Sequence, residues 1–150
     1  MSSVFIAMLL SNVWEEIGWR GFALPRFQER FSDLATALLM GVLWMLWHLP
    51  LMLTPASPMS TLPWHWDLLF SLALSVLYIW LYNCTRRSLL LVTLFHAMSN
   101  TVAWVLLEVG VYTSSYPFVA GVTAAVAAAI VLRHGTKRFG GPALGGEHGG

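Results

Sequence analysis

Ser11-Asn12-Val13-Trp14-Glu15-Glu16-Ile17-Gly18-Trp19-Arg20 is the stretch whose reading decides the fold. Two adjacent carboxylates and an arginine interrupt a run that is otherwise apolar enough to enter a membrane. A charged side chain at the bilayer centre costs about 2.5–3.5 kcal/mol on insertion scales. Three such residues so close together require partners, water or a function. His48, His96 and Asn100, each on another apolar segment, are the candidate partners.

The composition agrees with a membrane reading. Apolar residues make up 57% of the 150 positions and charged residues 10%, against about 25% charged in an ordinary globular domain. Mean hydropathy is +0.68. A net charge of +1 gives no case for nucleic acid. The single cysteine, Cys84, excludes an internal disulfide. It lies just before Arg86-Arg87 and reads as an inert thiol, with acylation the lesser alternative. The N-terminus has no basic region before its apolar run, so it does not read as a signal peptide.

About 20 apolar residues span a bilayer core, and the sequence divides into five such segments. The first runs from Val4 to Leu24, with Pro25 expected to end or kink it. A polar connection follows from Arg26 to Asp33, where the spacing of Phe27 and Phe31 suits a short interfacial helix. The second segment, Leu34 to Leu53, holds Trp44, Trp47, His48 and Pro50. A Pro-rich loop from Thr54 to Trp66 offers Trp64 and Trp66 as interfacial anchors. The third, Asp67 to Asn83, reads as a scaffold helix without internal charge. The fourth, Ser88 to Val109, carries His96, Asn100 and Glu108. After a turn at Gly110–Ser115, the fifth, Tyr116 to Leu132, is rich in small residues suited to close packing. The expected fold is an all-α polytopic bundle over 1–133, followed by a disordered Gly-rich cytoplasmic tail over 134–150.

The basic residues set the topology. Arg20, Arg26 and Arg30, then Arg86 and Arg87, then Arg133, Lys137 and Arg138 all fall at one end of a five-span bundle, while Thr54–Trp66 and Gly110–Ser115 contain none. The positive-inside rule makes that end cytoplasmic and the N-terminus external. An external N-terminus with no leading span reads as a stretch whose earlier helices lie outside it.

The chemistry-bearing residues occur at helical spacing. Glu16 and Arg20 are four apart with the acid first, the favoured order for an ion pair. Glu15 lies about 100° round the helix, unpaired by Arg20, desolvated and beside a like charge, which suits a general base. A purely structural ion-pair network is the bland alternative. His48 shares a face with Trp44, and His96 with Asn100; taken alone, each could be a satisfied core residue or interhelical glue. Helical rise puts Glu15 and His96 about 12–14 Å from the basic end and His48 about 20 Å from it. Glu108, His65, His134 and His148 are given no role.

Three motifs in order resemble the CPBP, or Abi, family of CAAX-processing and bacteriocin-processing membrane proteases. They are Glu15-Glu16-x-x-x-Arg20, Trp44-x-x-x-His48 (with Trp in place of the usual Phe) and His96-x-x-x-Asn100. The resemblance covers about Ser11 to Thr101. It implies peptide hydrolysis inside the cytoplasmic membrane of a prokaryote, near the cytoplasmic face. Glu15 then resembles the base that activates water, assisted by His48. His96 and Asn100 resemble the oxyanion-stabilising pair, and Glu16 and Arg20 the residues that order the site. The expected partners are a peptide or protein substrate and membrane lipid. The resemblance favours a metal-free, glutamate-dependent reaction, with zinc on Glu15, His48 and His96 as the alternative.

Rival readings are a non-catalytic immunity or adaptor protein of the same fold, a haem protein ligated by His48 and His96, and a proton pathway through Glu15 and His96.

Overall fold

The structure, a computed structural model, describes residues 2–140. It is an all-helical polytopic bundle, and no strand occurs among the described residues. The helices are α1 (Ser2–Glu16), α2 (Leu24–Gln28), α3 (Asp33–Met52), α4 (Trp64–Cys84), α5 (Leu89–Glu108) and α6 (Tyr112–His134). Four of them, α3 to α6, are long and apolar enough to cross a membrane, and the chain is an integral membrane protein.

The first apolar segment is one continuous helical run, but its pitch is not uniform. Its α-helical pitch stops at Glu16, and Ile17–Ala23 continues as a π-helix before α2 resumes α pitch. Pro25 does not end the helix. It sits in the first turn of α2, where its missing N–H and fixed φ are tolerated. Wide π turns inside helices occur frequently at functional sites, and this one begins directly after the Glu-Glu pair.

The third segment is not a bland scaffold. Over its most apolar window α4 is 56% buried, against 22–28% for α3, α5 and α6. It is the central helix, packed against α3, α5 and α6, while α1 lies against α5. It buries polar groups along its length: Asp67, Ser71, Ser75, Tyr78 and Asn83. The crossing with α3 is close. A Cβ at Gly41 would fall 2.8 Å from Leu72 Cα, so only glycine permits this approach. On α6 the small residues Ala120 and Ala127 are buried, which lets that helix lie close to its neighbours.

The two ends of the bundle are tied differently. At the arginine-rich end, Asp33 Oδ1 accepts from Gln28 Nε2 (2.8 Å), and Asp33 Oδ2 accepts from Asn83 Nδ2 (2.8 Å) and Phe139 N (2.6 Å). The N–H groups of Asp33 and Leu34 donate to the carbonyls of Lys137 and Thr136. The tail expected from 134 onward therefore begins with a docked segment that buries Phe139 completely; residues 141–150 lie outside the described residues. At the opposite end the hydroxyls of Thr61 and Thr113 hydrogen-bond at 2.8 Å, joining the Pro-rich loop to the α5–α6 turn. Ser32 and Ser88 cap α3 and α5 through their hydroxyls.

Candidate active site

The end of α1 and the π turn hold Glu16 and Arg20 fully inside the bundle, 0% and 2% exposed. Arg20 Nη1 donates to Glu16 Oε1 at 2.8 Å, and His96 Nδ1, from α5, donates to the same oxygen at 2.7 Å. Glu16 Oε2 is buried without a partner. The guanidinium of Arg20 lies over the ring of Tyr78, 3.7 Å from its centroid, and 5.4 Å from that of Trp44. Two aromatic faces thus take the place of water around a buried cation. Removing one partner of such a buried pair costs about 3–5 kcal/mol, because the other charge is left uncompensated.

Trp44 stands between the two histidines. Its ring centroid is 5.3 Å from that of His48 and 5.6 Å from that of His96, both edge-on. His48 Nδ1 is 2.9 Å from the Trp44 carbonyl oxygen one turn earlier. A carbonyl and a carboxylate can only accept, so each imidazole carries its proton on Nδ1 and keeps Nε2 for another partner. Asn100, one turn beyond His96, donates through Nδ2 to Asn12 Oδ1 at 3.2 Å. Asn12 is itself buried on α1.

His48, His96, Asn100, Trp44 and Tyr78 line one cavity of about 160 Å³ between α3, α4, α5 and α6. Its remaining wall is largely apolar and extends along α5 to Leu106 and along α4 to Asp67, away from the arginine-rich end.

Glu15 is not part of that lining. It is half-buried in a shallow groove with Trp14, Gly18, Trp19 and Trp47. One of its oxygens, Oε2, is buried without a hydrogen-bond partner. The two adjacent acids thus divide: Glu16 is committed to Arg20 and His96, while Glu15 is uncommitted on the neighbouring face. The zinc alternative does not fit this arrangement. Among the described residues no three His, Cys, Asp or Glu side chains are grouped so that they could hold a metal ion, and Glu15 faces a different concavity from the two histidines. Glu108 and His65 are exposed, and His148 lies outside the described residues.

Sequence reasoning missed Tyr78 and Asn12. Tyr78 is fully buried with an unpartnered hydroxyl and touches Arg20, Trp44 and His96. The available signal was a polar tip inside an apolar helix.

Residues 1–102 match the family model described as type II CAAX prenyl endopeptidase Rce1-like. The chain belongs to that family. The match takes in Glu15, Glu16, Arg20, His48, His96 and Asn100 and stops short of α6. Over 103 residues the chain is 31% identical to CAAX prenyl protease 2 of Methanococcus maripaludis, covering 65% of this chain and 38% of that protein. It therefore spans well under half the length of this curated relative. No solved structure matches it.

Proposed function

We propose that this chain carries the catalytic helices of a membrane-embedded endopeptidase, which hydrolyses a peptide bond inside the bundle with water as nucleophile. The single observation that carries the reading is the convergence of His48, His96 and Asn100 on one cavity, with the buried Glu16–Arg20 pair behind His96. In this reading Glu15, whose carboxylate is not spent on Arg20, takes a proton from water and returns it to the leaving amine, which requires the scissile bond to lie between its groove and the cavity of His48 and His96. His48 assists through its free Nε2. His96 and Asn100 donate to the oxygen of the tetrahedral intermediate. To donate from Nε2, His96 must carry a proton on each ring nitrogen. Arg20 holds the Glu16 side chain in place.

A second assignment of the base has its own support in the 2.7 Å contact between Glu16 and His96. A carboxylate that holds an imidazole by Nδ1 prepares Nε2 to accept a proton, and His96 lies on the cavity whereas Glu15 does not. No step in either assignment passes through a metal, because the candidate donors do not converge. The arginine-rich end is the cytoplasmic end in this reading, the membrane is a prokaryotic cytoplasmic membrane, and the substrate is a peptide or a protein segment.

The test is cleavage of a fluorogenic peptide library by the protein in nanodiscs, with and without a zinc chelator. Activity that survives the chelator and is lost in His96→Ala supports the reading. A folded protein that cleaves nothing turns it toward a non-catalytic member of the family.

A further inference from the structure

The catalytic reading uses only one end of the cavity. At the other end lies Asp67, on the first turns of α4, 3% exposed and part of the cavity wall. Its Oδ1 accepts a hydrogen bond from Tyr116 Oη of α6 at 2.7 Å. Its Oδ2 is buried and has no partner. The salt bridges among the described residues both involve Glu16, so Asp67 has no cation of its own. Contrast Asp33, both of whose oxygens are satisfied by neutral donors. A buried carboxylate with one oxygen unused is costly unless something else completes it.

Between the two ends the wall is largely apolar, with Phe70, Leu74, Val102, Leu106 and Val119. A wholly apolar chain would suit these side chains but would leave the carboxylate unpaired at its tip. A lysine or arginine side chain suits both, with its methylene stem along the apolar wall and its charged head at the carboxylate. We propose that Asp67, steadied by Tyr116, is the recognition point for a basic side chain of the substrate, remote from the bond that is cleaved. This rests on the peptidase reading for the identity of the ligand as a peptide. Asp67 is eleven residues before Tyr78 on the same helix, a rise of about 16 Å. At about 3.4 Å per extended residue, the basic residue lies within about five positions of the cleaved bond.

The experiment uses fluorescein-labelled octapeptides of apolar sequence with one lysine walked along the chain, each paired with its norleucine counterpart. Binding is read by fluorescence anisotropy in nanodiscs, in the Glu15→Gln background to suppress turnover, while cleavage is followed in parallel with the unmutated protein. At one position lysine is expected to bind about thirtyfold or more tighter than norleucine. The preference should vanish in Asp67→Asn, which keeps an acceptor for Tyr116, and persist in Tyr116→Phe. The lysine–norleucine comparison with Asp67 intact stands even where a substitution impairs folding. Equal binding, no measurable binding of either peptide, or a preference that survives Asp67→Asn overturns the proposal. A lysine preference without cleavage of any peptide would leave the Asp67 site standing and remove the peptidase reading.

Discussion

Glu16 and Asp33 are both buried carboxylates, and they are treated in opposite ways. Asp33, at the arginine-rich end, takes three neutral donors from α2, α4 and the tail, and both of its oxygens are used. Glu16, deeper in the bundle, takes a guanidinium and an imidazole on one oxygen and leaves the other without a partner. Complete satisfaction by neutral amides is how a carboxylate ties chain segments together. Incomplete satisfaction directly behind a histidine that lines a cavity is how a site could hold a group that must change its partners. The difference teaches that burial alone does not distinguish the two carboxylates; what separates them is how their oxygens are partnered.

The contrast can be broken most forcefully through activity. If the histidine cluster is the chemical end, His96→Ala lowers peptide cleavage by about a hundredfold or more in a protein that still folds. Asp33→Asn, by contrast, lowers activity only in proportion to the folded fraction. Stability is the next lever. Glu16→Gln leaves the Arg20 charge uncompensated and is expected to cost about 3–5 kcal/mol, whereas Asn83→Ala strips one donor from Asp33 and costs about 1–3 kcal/mol. Denaturation in a fixed detergent measures both, and a reversed order would mean that the two carboxylates have been misread.

Smaller effects sharpen the setting of the two clusters. Gly41→Ala drives a methyl group into the backbone of α4 and should cost about 1–3 kcal/mol through overpacking. Because α3 carries Trp44 and His48, the same change should also lower cleavage per folded molecule. Arg86 and Arg87 both hold positive φ, 53° and 63°, in the exposed turn between α4 and α5. Arg87→Gly should stabilise the chain by up to about 1 kcal/mol and leave activity unchanged, since that turn is far from the cavity.

What could be read in the sequence follows from helical geometry. The pairs Glu16–Arg20, Trp44–His48 and His96–Asn100 are one turn apart, so spacing alone places each pair on one face. The contact from Glu16 to His96 joins positions eighty apart, and no local rule specifies it. The rank of α4 was also hidden. In an apolar chain every helix is hydrophobic on all sides, so the pattern does not reveal which one becomes central. For the same reason Tyr78 passed as one aromatic residue among many. Asp67 was visible as an acid at the start of a span, but its isolation depends on what α6 brings to it. Pro25 illustrates the reverse error: the rule that proline ends helices is sound in a helix interior, but here the change of pitch at Ala23–Leu24 makes it a first-turn residue.

The most direct test compares Glu15→Gln with Glu16→Gln, reading the cleavage rate per folded molecule in nanodiscs alongside thermal stability. The account predicts that Glu15→Gln keeps the stability of the unmutated protein and loses cleavage by about a hundredfold or more, while Glu16→Gln loses stability first. Undiminished cleavage by a well-folded Glu15→Gln protein would contradict Glu15 as the base and transfer that role to the imidazole held by Glu16.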